Sequence, residues 1–155
     1  MDINDYIVLS KASGTAYNGG FKFQIPLNWY SNQRSSVATV ELIQFYHKKT
    51  GGHDMAYITT NLTAQNQYVA SGMEGRNILA VCMNNKNSNS QYLLEQMKLL
   101  TTARPTEIEL QFYDVDGATK SSPDDFVATL KFSYYSPEET AEKLTNQFTP
   151  ALRNL

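Results

Sequence analysis

Apolar and polar residues alternate one for one along much of the chain. Across residues 107–112 every even position is apolar (Ile108, Leu110, Phe112) and every odd one polar. Across 126–134, Phe126, Ala128, Leu130, Phe132 and Tyr134 share one parity, while Thr129, Lys131 and Ser133 take the other. A period of two sends successive side chains to opposite faces of an extended chain, so both segments are predicted strands with one buried and one wetted face. Phe21, Phe23 and Ile25 repeat the pattern between Gly19-Gly20 and Pro26. Residues 37–46 are apolar on both faces, which predicts a central or doubly covered strand. Segments 6–10, 55–60, 77–83 and 68–70 bring the expected count to about eight strands.

Two segments depart from this period. Residues 91–100 fit a strand, but Leu93, Met97 and Leu100 also fit helical spacing behind a Ser90 cap, and both readings stand. From Ser136 the pattern is helical. Ser136-Pro137-Glu138-Glu139 combines a cap, a first-turn proline and a glutamate three residues after the serine. Ala141, Leu144 and Phe148 then form one stripe, interrupted by Pro150. The expected architecture is an all-β, eight-stranded antiparallel jelly-roll sandwich over 1–135 with a short C-terminal helical tail over 136–155. An open sheet would leave its edges and one apolar face in water, which favours the closed double sheet. An immunoglobulin-like sandwich needs shorter strands and about 100 residues.

Hydrophobic residues make up 41% of the 155, and ten Tyr, seven Phe and one Trp supply the area for a core without staples. Charged residues are only 18%, against about 25% in an average soluble domain. The formal net charge of -2 leaves little self-repulsion, so the surface tolerates close packing against copies of itself. Lys48-Lys49 is the only adjacent basic pair, so direct nucleic-acid binding is not expected. No run approaches the about 18 apolar residues of a membrane span. The start, Met1 to Asp5, lacks the basic and apolar regions of a secretory signal, so the chain is not expected to be secreted. Without that signal Asn61-Leu62-Thr63 reads as a chance match to a glycosylation pattern.

Candidate chemistry is sparse. His47 and His53 are expected at the surface, with no further ligands at metal spacing and no activated nucleophile nearby. Cys82 sits in an apolar run and reads as a small buried hydrophobe. Asp114-Val115-Asp116-Gly117, with Asp124-Asp125 at the far end of the same loop, is the one cluster resembling a cation site, although the full calcium-loop pattern is missing. Asp-Gly is equally a turn signal. No cofactor and no catalysis are expected. Tyr134, Tyr135, Leu144, Phe148 and Leu152 are the candidate partner interface, because rim tyrosines and an apolar tail stripe suit a neighbouring chain.

Four stretches in order carry a resemblance: 21–26 (FKFQIP), 57–62 (YITTNL), 75–79 (GRNIL) and 107–117 (EIELQFYDVDG). Together they resemble the single jelly-roll penton and minor capsid proteins of tailless double-stranded DNA viruses, including virophages and their giant-virus and polinton-like relatives. The resemblance implies a virion structural protein, assembled in the host cell, forming a pentamer at five-fold vertices beside a larger major capsid protein. It transfers no active-site residues. Pentons of this class often carry an inserted outer domain for which this chain has no room, so a minimal penton and another minor shell protein both remain open. The alternative from a different class is a carbohydrate- or ligand-binding β-sandwich module.

Overall fold

A computed structural model describes residues 3–31, 36–52, 54–62, 64, 66–69, 77–82 and 97–134. These form nine strands: β1 Ile3–Ser10, β2 Thr15–Tyr17, β3 Gly20–Gln24, β4 Val37–Lys48, β5 Tyr57–Thr60, β6 Asn77–Val81, β7 Lys98–Thr102, β8 Glu107–Tyr113 and β9 Asp125–Tyr134. They make two sheets, four strands in the order β1-β9-β4-β7 and five in the order β2-β3-β8-β5-β6. Every pairing is antiparallel. The sheets pack face to face as a sandwich.

The alternation read from the sequence decides which side of each strand is inside. Phe126, Ala128, Leu130, Phe132 and Tyr134 of β9 are all buried, as are Ile108, Leu110 and Phe112 of β8. Ile7 and Leu9 of β1 lie opposite Leu130 and Ala128 on the same inner face. Phenylalanines join the sheets. Phe126 of the four-stranded sheet lies 5.4 Å from Phe112 and 5.3 Å from Phe21 of the other. Phe45 approaches Phe112 at 6.2 Å from the opposite side. Each such ring removes about 150–250 Å² from water, and tilted or edge-on pairs suit the ring quadrupoles.

Strand β4 explains the doubly apolar pattern of its sequence. Its pairing with β9 shifts by one residue between Leu42 and Gln44, a β-bulge at Ile43. Before the bulge Ala38, Val40 and Leu42 face inward; after it Phe45 and His47 do. The extra residue resets the parity, so one strand supplies two phases of alternation to one core. His47 is therefore corrected from a surface to a fully buried position, stacked on Phe45 at 5.3 Å and 16°.

Three of the four sheet edges are short or plugged. Asn66 reaches the edge strand β7, donating to the Lys98 carbonyl at 2.8 Å and accepting from the Leu100 amide at 2.9 Å. Its neighbour Gln67 does the same to edge strand β6, with both bonds on Ile78 at 2.6 and 2.9 Å. These two amides stand in for an added strand and occupy groups that would otherwise invite one. Edge β2 has only three residues. Edge β1 has eight and pairs on one side only, with β9.

Other expectations are corrected or extended. Tyr68 and Val69 are loop, with Tyr68 91% exposed, because the chain there is spent on plugging edges, whereas Ala70 lies outside the described residues. Lys98–Thr102 resolves the end of the ambiguous 91–100 segment as strand β7, whereas 91–96 lie outside the described residues. The short β2, packed against β3, was not expected. The predicted C-terminal helix and tail, 136–155, lie outside the described residues, as does His53.

Truncating Phe126 to Ala removes the ring shared by both sheets and is expected to cost about 3–5 kcal/mol of stability. Val127→Ala on the outer face is expected to cost well under half of that. Denaturant unfolding monitored by circular dichroism checks both.

Candidate functional site

The four aspartates singled out in the sequence do not converge. Asp114 accepts from the Val115 amide at 2.6 Å. Asp116 accepts from the Ala118 and Thr119 amides at 2.9 and 2.8 Å and from the Thr119 hydroxyl at 2.5 Å. Together they build the turn that Gly117, at φ +72°, allows to close. Asp124 accepts from the Thr50 amide and hydroxyl at 2.9 and 2.5 Å, and these bonds hold its carboxyl below the usual range. Asp125 accepts from the Phe126 amide at 2.9 Å. Among the described residues, no three His, Cys, Asp or Glu side chains come together as metal ligands would. The cluster is turn chemistry at two separate places.

Tyr134 is likewise corrected from partner surface to core. Its position in the inward parity of β9 leaves it 1% exposed beside Asp5 of β1 and Tyr30. Ser31 holds that buried carboxylate with its amide, 3.0 Å from Asp5 Oδ2, and with its hydroxyl. The Tyr30 hydroxyl donates to the Pro105 carbonyl. Burial first, and the Asp5 charge second, push both phenols above their ordinary value. Tyr135, Leu144, Phe148 and Leu152 lie outside the described residues.

An apolar surface does form elsewhere, along β1. Its inward residues Ile7 and Leu9 alternate with outward Tyr6 and Val8, the latter 63% exposed. Beside this edge runs a tight turn that begins at Pro26, where the Trp29 amide donates to the Pro26 carbonyl at 3.0 Å. Tyr30 is buried and anchors the turn, with its ring packed edge-on against Phe132 at 6.2 Å. Trp29 and Leu27 are thereby left 49% and 60% exposed. Tyr6, Ile7, Val8, Ile25, Pro26 and Trp29 line a groove of about 390 Å³ between strand and turn. Sequence reasoning missed this site because the edge position of β1 depends on pairing with β9, more than a hundred residues away. The available signal was that 6–9 are apolar at four consecutive positions.

Cys82 is buried as expected, and desolvation pushes its thiol up to about 12. A buried, neutral thiol is a poor nucleophile.

Neither any protein-family model nor any curated protein sequence matches the chain significantly.

Two outcomes follow from these placements. Millimolar calcium or a chelator is expected to leave the melting temperature unchanged, since the aspartate oxygens are bound locally. Differential scanning fluorimetry checks this, and a rise with calcium alone would contradict it. For Cys82, the thiol is protonated in both folded and unfolded chains below its ordinary value of 9.0. Between that value and about 12 only the unfolded chain loses the proton, so this residue's contribution to stability declines as pH rises through that window. Cys82→Ala is expected to flatten the alkaline fall by up to about 1.4 kcal/mol per pH unit, measured by urea titration at successive pH values.

Proposed function

We propose that this chain is a structural subunit of a viral shell, a single jelly roll of the penton or minor-capsid kind that assembles by burying its β1 edge against a neighbour. The strand order supports the jelly-roll reading. With the short β2 set aside, eight strands remain, and they pair in nested fashion: β1 with β9, β3 with β8, β4 with β7 and β5 with β6. A long double-back chain rolled into two four-stranded sheets has that order.

The observation that carries the assembly reading is the contrast among edges. Asn66 and Gln67 plug β7 and β6, while the longest edge, β1, has no second strand beside it among the described residues and presents Tyr6 and Val8 next to Trp29. An open apolar edge is a site for another chain unless something covers it. Aromatic residues in such a strip favour protein contacts over solvent. Low net charge removes the electrostatic penalty for gathering copies around one axis.

In this reading each subunit contributes one modest apolar contact, and closure of a ring, taken to be a pentamer, multiplies it. A larger major capsid protein supplies the surrounding lattice. The segment after Tyr135, with Ala141, Leu144 and Phe148 in one stripe, is the second element assigned to assembly. The chain works in the virion, after assembly in the host cell.

Val8→Lys places a charge on the open edge without touching the core. It is expected to hold the protein monomeric with an unchanged far-ultraviolet spectrum, whereas the unsubstituted chain forms discrete closed oligomers in native mass spectrometry and negative-stain images. A unsubstituted chain that stays strictly monomeric at high concentration, and is not taken up into particles with a major capsid protein, would overturn the reading.

A further inference from the structure

The outer face of the five-stranded sheet carries a second concavity, of about 360 Å³. That volume falls at the lower end of the about 300–1,000 Å³ typical of small-molecule sites. Its walls are mostly polar, formed by Asn18, Thr59, Asn61, Glu109, Gln111 and Lys120, with Tyr113 supplying a ring. Sheet register assembles them: Thr59 of β5 lies directly opposite Gln111 of β8, and Glu109 lies two residues from Gln111 on the same face.

Gly19 and Gly20, between β2 and β3, leave room for two of the lining side chains. Gln111 lies over Gly20, where a Cβ would meet the amide oxygen at 2.5 Å. Lys120 crosses Gly19, where a Cβ would come within 2.7 Å of its Cδ. Gly19 also sits at φ +80°, which other residues rarely adopt. The Asp114–Gly117 turn explains how Lys120 gets there. It folds the chain back so that Lys120 bridges to Tyr113 and the Ser121 amide reaches the Phe112 carbonyl at 2.9 Å. The turn singled out as a cation loop instead delivers an ammonium group to the rim.

The polar groups are held in place before any ligand arrives. Asn61 is clamped between the Glu109 amide at 2.8 Å and the Glu107 carbonyl at 3.1 Å. The Gln111 amide donates to the Tyr17 carbonyl at 2.9 Å and to Glu109 Oε1 at 3.1 Å, which fixes the carboxylate. Hydroxyls, amides, one carboxylate and one ammonium around one hollow alternate donors and acceptors, with one charge of each sign. A sugar ring presents hydroxyls that donate and accept at once, and a fixed array of this kind discriminates among them. A strongly charged phosphate ligand would meet the Glu109 carboxylate, and an apolar one would offer the Lys120 ammonium and the second Glu109 oxygen nothing to bond.

We propose that this hollow is a saccharide-binding site, with Glu109 and Lys120 as its principal contacts and Thr59, Asn61 and Gln111 as its fixed wall. It lies on the other sheet from the β1 edge, so its test is independent of assembly. ¹⁵N-labelled full-length protein is titrated with a panel of neutral and acidic mono- and disaccharides. The proposal expects saturable shifts from at least one of them, centred on residues 59–61, 109–111 and 120. Glu109→Gln, of the same shape, and Lys120→Ala, fully at the surface, should each weaken that binding by about tenfold, the worth of one charge-assisted hydrogen bond. Their unchanged melting temperatures would show that folding is intact. No saturable shift with any saccharide, or shifts that persist undiminished in both variants, would overturn it.

Discussion

The sandwich depends on one parity change. Alternation along a twelve-residue strand would ordinarily carry Val40 and Leu42 inward and then Gln44 and Tyr46 after them. The bulge at Ile43 exchanges the two sets, and Phe45 and His47 turn inward instead. Phe45 is what meets Phe112 and Phe126 between the sheets. With the opposite parity those rings would face an amide, and a buried unpaired polar group costs about 1–3 kcal/mol on top of the lost apolar contact. The place of Phe45 in the inter-sheet aromatic cluster, and of His47 stacked on it, follows from that single extra residue.

The same rule shows what was legible from residue order. Strands β8 and β9 were plain because each keeps one phase from end to end, and their inward residues are the ones expected. Strand β4 read as apolar on both faces because two phases were superposed, and His47 was misplaced because it stands at the expected strand end beside Lys48 and Lys49, whereas the strand runs on to Lys48 in the shifted phase. Tyr134 belongs to the single-phase set of β9 and was legible as core; its assignment to an interface set aside its own parity. The aspartate cluster matched a ligand pattern only in sequence, since backbone amides two or three residues away claim its oxygens. Edges were not legible at all. Whether a strand is internal or marginal depends on partners set by the whole fold, and the plugs at Asn66 and Gln67 come from a loop with no periodic signal.

The two candidate surfaces are built by different means. The β1 edge offers backbone groups and apolar rings on a straight, open margin, and it suits a partner with a complementary edge or ridge. The hollow beside Glu109 and Lys120 offers fixed side-chain polarity within a concave face, the kind proposed above for a small hydroxylated group. Between them lies the core, so a substitution on one surface has little route to the other. The low net charge of the chain leaves both surfaces without a dominant field.

Pairing of β1 with β9 has a consequence for how the chain is made. Residues 3–10 leave the ribosome more than a hundred residues ahead of their partner strand, 125–134. Until that strand is made Tyr6, Ile7, Val8 and Leu9 lack their β9 partner, and at about 5–20 residues per second the interval lasts several seconds or more. The apolar margin of the finished molecule is thus also an exposed apolar segment of the growing chain, which stays unpaired until the closing strand arrives.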